Sequence, residues 1–326
     1  MTRRAGVILI AAAIVAALGA PFLAPHAADV RNQSLLNAPP TWPHIVSDDG
    51  GWHAPFIYRW RLVSRLEQRY EEDRSTPIPL TWFTAGRLVQ STDDADAPLL
   101  PLGADSFGRD VFSRLLYGAR ISLGLATIAA LGATLIGGAI GGLAGYLGCA
   151  IDDALMRTTD FLMVLPAMYV ALALRAVLPL VLTPRQVFAL LAIIFAALGA
   201  PFIARGVRAI VRSERRREYA VAAEAIGASG WRLLARHLLP ATHGFVAVQI
   251  TLLVPAFIVS EATLSYVGLG FPDPIASWGT MLHDAATNIR VFADFPWLLS
   301  PAAAMFIVVL GLNLVLQDDH RLSARN

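Results

Sequence analysis

The sequence predicts an all-α, polytopic membrane protein: a bundle of six transmembrane helices with a long extracytoplasmic insertion. Of its 326 residues, 56% are hydrophobic and only 15% are charged, and the mean hydropathy is positive at +0.57. A soluble protein would carry charge on about a quarter of its residues. A helix needs about 20 apolar residues to cross the hydrocarbon layer of a membrane. Six such stretches occur, at residues 5–25, 121–146, 155–179, 187–204, 243–269 and 297–316.

The first apolar stretch has two interpretations. It follows Arg3 and Arg4 and ends near small residues, as a cleaved signal peptide does. It is also long enough to span the membrane, and five more spans follow. We therefore expect residues 1–28 to be a retained first transmembrane helix, and residues 113–320 to form a five-helix core with a loop at 205–242.

Arginine placement predicts the orientation. The loop at 205–242 contains eight arginines and three glutamates, a net charge of +5. Short loops rich in arginine remain in the cytoplasm. Counting spans outward from this loop places both termini in the cytoplasm and residues 29–112 outside.

Residues 29–112 are too long for a simple connection between two spans. Eight aromatic residues lie between positions 42 and 83, which suggests a small packed subdomain. Within it we expect a charged helical stretch around Ser64–Asp73 and a solvated turn at Asp93–Asp96.

The composition excludes several functions. All 26 basic residues are arginine, so the chain has no P-loop lysine and no lysine for Schiff-base chemistry. Cys149 is the single cysteine, and the seven histidines show no metal-binding spacing. We therefore expect no metal, no cofactor bound by this chain and no nucleic acid partner.

Residues 218–240 contain two short helical patterns. Four residues of the first share one face: Tyr219, Ala222, Ala223 and Ile226. Glycines at 227 and 230 break this helix, and Ser229 could cap a second one. The second has an apolar face and a basic face, and a proline closes it: Trp231, Leu234 and Leu238, then Arg232 and Arg236, then Pro240. Periodicity alone fits a basic amphipathic helix on the inner membrane surface equally well.

This stretch resembles the cytoplasmic EAA coupling loop of bacterial ABC-importer permeases. In that family two alanines, a glycine and a basic–apolar stretch ending in Leu-Pro form a coupling helix. The matching positions are Ala222, Ala223, Gly227, Leu239 and Pro240, and Glu218 and Arg236 belong to the same loop. Val221 stands where the family usually has glutamate, with Glu224 three positions later.

Two further motifs, at residues 101–123 and 261–282, resemble the dipeptide/oligopeptide/nickel branch of these permeases, in particular its second permease subunit. The resemblance implies a type I ABC importer permease-like fold in the bacterial plasma membrane and transport by alternating access. It also implies a homologous permease subunit, two cytoplasmic ATPase subunits that bind ATP and Mg²⁺, an extracytoplasmic solute-binding protein and surrounding lipid. The implied cargo is a short peptide, with nickel or another small solute as the alternative; an ion-coupled secondary transporter is the competing class.

Charged residues inside spans mark transport pathways or contacts between helices. Arg157, Asp160 and Glu261 match polar positions of the family, and for Asp160 and Glu261 helix contacts are favoured over substrate binding. Arg175 lies near the outer end of the third span, which Pro166 is expected to kink.

Packing and surface features complete the expectations. The paired GxxxG spacings at 137–142 fit either dimerisation or internal packing. Asp105 with Arg109 and Asp110 with Arg114 predict i,i+4 ion pairs on a short interfacial helix. Trp278 is expected at the level of the lipid headgroups. Residues 29–112 could dock the binding protein or only pack on the permease.

Overall fold

The computed structural model describes residues 2–46, 51–177, 182–287 and 290–323, with side chains between residues 3 and 315. It divides into two compact units. The first comprises Met1–Ser122 and Ser265–Val315, and the second comprises Leu123–Leu264 and Leu316–Asn326.

Most of the described chain is helical. The α-helices in chain order are α1 Thr2–Leu18, α2 Ala20–Leu23, α3 Val111–Leu147, α4 Cys149–Val164, α5 Ala167–Val177, α6 Pro184–Glu214, α7 Glu218–Ala225, α8 Gly230–Leu233, α9 His243–Tyr266, α10 Trp278–Ala286 and α11 Ser300–Ser323. A π-helix at Leu234–Leu238 and a 3₁₀ turn at Leu239–Thr242 join α8 to α9, so that Gly230–Tyr266 is one helix of 37 residues.

Four described helices are long and apolar enough to cross a membrane: Val111–Leu147, Pro184–Glu214, Gly230–Tyr266 and Pro296–Val315. The pair α4 and α5 would make a fifth span, bent by 88°. The remaining predicted span, the first at residues 5–25, is divided at Gly19, and α1 by itself has only 17 residues. The lengths therefore establish a multi-pass helical protein with four or five candidate spans.

The bend between α4 and α5 lies at Leu165 and Pro166, which confirms the kink predicted from the sequence. A proline forces the preceding residue out of the helical region of backbone space, and Leu165 is extended with φ −71° and ψ 130°. The third predicted span is therefore two separate helices.

The all-helical prediction is wrong between residues 44 and 91, where four described segments form an antiparallel sheet. The strands are β1 His44–Val46, β2 Trp52–Ser64, β3 Arg69–Trp82 and β4 Val89–Ser91, in the order β1-β2-β3-β4. The segment Ser64–Asp73, expected as a charged helix, is instead the turn of a β-hairpin and the start of its second strand. In this hairpin Arg61 lies opposite Glu71. Local composition favoured a helix there, but the charges belong to two strands that neutralise each other across the ladder.

In the second unit, small residues of α3 allow α6 to approach closely. A Cβ added to Gly137 would lie 2.5 Å from the carbonyl oxygen of Ala200, and one added to Gly141 would lie 2.2 Å from that of Ala204. A Cβ on Gly138 would meet no heavy atom within 4 Å. Of the two uses left open, Gly137 and Gly141 therefore serve internal packing.

In the first unit, α1 packs against α11 in the same way. A Cβ on Gly6 would lie 2.6 Å from the carbonyl oxygen of Gly311. The first helix is thus an integral part of this unit.

Candidate functional site: the coupling loop

The candidate site is the loop that joins α6 to the long helix Gly230–Tyr266. Helix α7 begins after Arg217, whose backbone is extended, and it ends at Ala225, two positions before Gly227, whose φ is +88°. The N–H of Ala228 donates to the oxygen of Ala223, and the N–H of Gly227 donates to that of Glu224, each at 3.0 Å. This pair of hydrogen bonds defines a Schellman motif, which requires a left-handed residue and therefore favours glycine. The predicted break at Gly227 is confirmed.

The second half of the loop differs from the prediction in two respects. Ser229 has the extended backbone of an N-cap but its side chain makes no capping hydrogen bond. Pro240 does not end the unit, because the chain continues through it into α9. A proline ring would clash with the carbonyl four residues earlier in an α-helix, and the wider π-turn at Leu234–Leu238 accommodates it.

One side of the loop is anchored in the core of the second unit. Its buried residues form a cluster with α6: Ala220, Leu233, Leu234 and Leu238 with Ile203, Val207 and Val211. On the same side, Leu239 contacts α3, because a Cβ on Gly142 would lie 3.1 Å from its Cδ2. The loop therefore cannot move without moving these helices.

The other side presents four apolar side chains to the surface, and we call it the exposed apolar surface: Tyr219, Val221, Ile226 and Trp231. Ile226 is 88% exposed and Trp231 is 72% exposed. The sequence grouped Trp231 with Leu234 and Leu238 on one apolar face, but only the two leucines are buried. Leu233 joins them in the core in place of Trp231, and Ala220 of α7 is buried in the same cluster.

Polar contacts hold α7 against the end of α6. Glu214 accepts a hydrogen bond from the Tyr219 hydroxyl at 2.8 Å and pairs with Arg217 at 2.9 Å. Arg215 stacks on the Tyr146 ring at 4.6 Å and lies 3.9 Å from Glu224. Three exposed arginines of this loop, Arg216, Arg232 and Arg236, have no ion-pair partner in the described part of the chain.

The remaining predicted site residues stay separate. Arg157 and Asp160 lie exposed on α4, and Asp160 pairs with Arg205 of α6. Glu261 of α9 is 1% exposed. No hydrogen bond or ion pair between described residues joins it to Arg157 or Asp160.

A stronger pair between α4 and α6 was missed from the sequence. Asp152 accepts from Nη2 of Arg208 at 2.5 Å and lies 3.6 Å from Arg212. The sequence did contain a signal for this pair: Asp152 follows a predicted span, and Arg208 and Arg212 lie at the basic end of another one. This pair attaches the N-terminal end of α4 to the helix that leads into the coupling loop.

The first unit contains a buried ion network built from the two flanking motifs. Arg109 is fully buried and donates to Asp105 at 2.7 Å, Asp273 at 2.6 Å and Asp284 at 2.7 Å. Arg114 lies 3.4 Å from Asp284. Burial raises the pKa of Asp284 above its usual range, and the two arginines oppose that shift. The network joins the segment before α3 to the segment around α10.

Two expectations about the motif at residues 101–123 need correction. Residues 105–110 form turns, and the helix begins only at Val111. The predicted pair of Asp105 with Arg109 is present, but Asp110 bonds Ser113 at 2.5 Å and His26 at 3.4 Å, not Arg114.

His26 belongs to a second buried contact, in which its other ring nitrogen lies 2.8 Å from Asp94. Burial lowers the pKa of His26, but the hydrogen bonds to Asp110 and Asp94 outweigh burial and raise it to about 9.

Trp278 is buried inside the protein, so its ring does not face lipid as an interfacial anchor would. Its indole N–H donates to the oxygen of Leu115 at 3.1 Å, and its backbone N–H donates to Ser122 at 3.1 Å. Ser277 caps α10 in front of it through a capping box with Thr280. The Ser-Trp-Gly motif thus fastens α10 onto the start of α3.

These observations define a class of protein: a multi-pass helical membrane subunit with a basic loop, anchored on one side and apolar on the other. Residues 116–317 match the model of the family described as binding-protein-dependent transport system inner membrane component. The chain belongs to this family, which confirms the resemblance found from the sequence. It is a transport subunit and not an enzyme.

The chain is similar to several curated permease proteins. It is 38% identical over 214 residues to the oligopeptide transport system permease protein OppC of Bacillus subtilis (strain 168), covering 65% of this chain and 67% of the relative. It is 37% identical, with the same coverage, to the dipeptide transport system permease protein DppC of Alkalihalophilus pseudofirmus. It is 33% identical to the glutathione transport system permease protein GsiD of Pectobacterium atrosepticum, over 66% of this chain and 68% of the relative.

Proposed function

We propose that this chain is a permease subunit of an ATP-driven importer of di- and oligopeptides in the bacterial inner membrane, which moves its cargo by alternating access. The relatives named for oligopeptides, dipeptides and glutathione support this cargo class. The observation that carries the mechanism is the continuous helix Gly230–Tyr266, which runs directly from the coupling loop into an apolar span.

The proposed topology has six spans, with α1 as a retained first span, α4 and α5 together as the third, and both termini in the cytoplasm. The net charge of +5 in the loop supports a cytoplasmic position for it. The sheet at residues 44–91 then lies outside, within the extracytoplasmic segment 29–112. The close contact of Gly6 with Gly311 supports α1 as a permanent part of the bundle.

The coupling loop would receive the motion of an ATPase through its exposed apolar surface. Val221 is part of that surface, in place of the family's glutamate, so we propose that an apolar contact replaces a charged one there. Arg216, Arg232 and Arg236 are exposed in the same loop and would pair with carboxylates of the ATPase.

The loop's internal residues would transmit the displacement. Ala222 and Ala223 keep α7 narrow, Gly227 fixes the turn, and Leu239 and Pro240 join the loop to the span, while Glu218 lies in the first turn of α7. Because Leu233, Leu234 and Leu238 are buried against α6, a push on α7 would move both helices together.

Two ATPase subunits, a homologous permease subunit and an extracytoplasmic binding protein are the proposed partners. ATP and Mg²⁺ would bind to the ATPases, since this chain has no P-loop lysine.

The test is reconstitution of the chain in proteoliposomes with the permease, ATPases and binding protein encoded beside it. We expect the peptide-loaded binding protein to stimulate ATP hydrolysis and peptide accumulation. Accumulation without the ATPases would contradict the proposal, and stimulation by nickel but not by peptides would contradict the cargo assignment.

A further inference from the structure

Arg175 is a buried charge that the described chain does not neutralise. It lies near the end of α5 and is 3% exposed. Its Nε and Nη1 atoms are enclosed and donate no hydrogen bond to any described residue, and no ion pair joins it to one. A guanidinium remains charged in proteins, so loss of a proton cannot relieve the free-energy cost of burying this charge.

The neighbouring sequence offers no anion for Arg175. Between Asp160 and Glu214 the chain has no acidic residue, although this stretch includes all of α5 and nearly all of α6, against which α5 packs. Asp160 is paired with Arg205, and Glu214 with Arg217. Burial of an unpaired charge is strongly destabilising, so a position of this kind implies an anion that comes from another molecule.

In the proposed topology, the helix that carries Arg175 is the shorter part of a broken span. Helices interrupted inside a membrane are tolerated where they line a cavity, and transporter binding sites are commonly built from them. The 88° bend at Leu165–Pro166 makes α5 a separate short element. A small displacement of α5 during the transport cycle would expose the guanidinium without disturbing α4.

We infer that Arg175 binds the carboxylate of the transported peptide as it passes through the permease. This inference rests on the proposed function, because it takes its anion from a peptide cargo. Every linear peptide with a free C-terminus carries a carboxylate, and a guanidinium can hold it through two parallel hydrogen bonds. The other source of a carboxylate, a side chain of the homologous permease, is distinguished by the test.

The experiment measures transport of two peptides by the reconstituted importer: one with a free C-terminal carboxylate and the same peptide with a C-terminal amide. Wild type and Arg175→Met are compared. Affinity of the binding protein for each peptide is measured separately and transport rates are compared at saturation. In wild type we expect amidation to slow transport about 10- to 100-fold, the usual range for losing a hydrogen bond to a charged group. In Arg175→Met amidation should change the rate less than about twofold, because the two changes remove the same interaction.

Arg185→Met is the matched control, since Arg185 is a nearby exposed arginine at the start of α6. It should retain the full effect of amidation. Equal effects of amidation in wild type and Arg175→Met, or no effect in wild type, would overturn the inference.

Stability of the complex supplies the second measurement. Without peptide, Arg175→Met should assemble normally and unfold at the same or a higher temperature, because it removes an unneutralised buried charge. Loss of assembly with the homologous permease would assign the carboxylate to that subunit and overturn the inference. If Arg175→Met is not produced, Arg175→Lys retains the charge without the paired hydrogen bonds and should reduce the amidation effect.

These outcomes are separate from a failure of the proposed function. If wild type transports neither peptide in an ATP-dependent manner, the proposed function fails. If it transports both but Arg175 and the carboxylate act independently, only this inference fails.

Discussion

At the residue scale, Gly227 is required by backbone geometry and not by space. Its φ is +88°, while a Cβ there would meet nothing within 4 Å. Gly227→Ala should therefore cost about 1–2 kcal/mol of local strain and loosen the end of α7. We expect weaker stimulation of ATP hydrolysis by the loaded binding protein, with normal insertion into the membrane.

Gly138→Ala is the control for Gly227→Ala. Gly138 also has open space around its Cβ position, but it lies in α3 without a positive φ. Equal stimulation in the two variants would show that the left-handed turn has no part in coupling.

His26 gives a prediction about pH. Its pKa rises from 6.5 to about 9 in the folded protein, so the stabilisation is complete below pH 6.5 and is lost as the pH rises through 9. The full effect would be up to about 3 kcal/mol. The difference in unfolding free energy between wild type and His26→Gln should shrink between pH 6.5 and 9.5. A constant difference over this range would mean that His26 does not titrate in its contact with Asp94 and Asp110.

At the element scale, the contact between α3 and α6 depends on which face of α3 carries glycine. Gly141→Ala would place a Cβ 2.2 Å from the oxygen of Ala204, so the helices must separate. We expect a loss of about 1–3 kcal/mol in stability, the usual cost of overpacking. Thermal unfolding in detergent measures it, with Gly138→Ala, one turn away and unobstructed, as the control expected to be neutral or stabilising.

Substitutions at exposed positions of the coupling loop should weaken ATPase binding without lowering the stability of the protein. Ile226→Asp and Trp231→Asp alter side chains that are mostly exposed, so stability should change by no more than about 0.5 kcal/mol. Capture of the ATPase subunits in co-purification should fall sharply, because a charge would replace an apolar contact. Leu234→Asp, which changes a buried position in the same loop, should lower stability as well. Undiminished capture by both exposed variants would place the ATPase contact elsewhere.

At the scale of the whole molecule, the ion network around Arg109 joins parts of the chain more than 160 residues apart in sequence. Arg109→Met would leave buried Asp105 without its main partner, which typically costs about 3–5 kcal/mol. Arg31→Met removes a solvent-exposed partner of Asp273 in the same unit and should cost about 0–1 kcal/mol. Chemical denaturation of the full chain compares the two, and similar losses would mean that burial does not strengthen the network.

The sequence predicted those features that depend on a few neighbouring residues. The bend at Pro166 and the turn at Gly227 follow from backbone chemistry that no tertiary contact can change. The pairing of Asp105 with Arg109 was also predicted, although on the wrong local structure, because both partners belong to one short segment.

The failures share a different origin. The strands at 52–64 and 69–82 satisfy their backbone groups through each other, and nothing local reveals that pairing. Trp278 is buried because Leu115 and Ser122 lie against it, and Asp110 turns to His26, a residue 84 positions away. Each of these choices depends on a partner distant in sequence.

The sequence by itself determined that this protein is a multi-pass membrane subunit, that its basic loop follows the 187–204 span, and which family it belongs to. The lengths of the apolar runs and the placement of arginine are sufficient for the first two, because the membrane imposes them locally, and the motifs at residues 101–123, 218–240 and 261–282 identify the family by resemblance. Only the tertiary structure decided which side of the coupling loop is exposed and which glycines of α3 meet α6. It also decided that Arg175 is enclosed without an anion from any described residue, because burial and pairing are properties of segments brought together by folding.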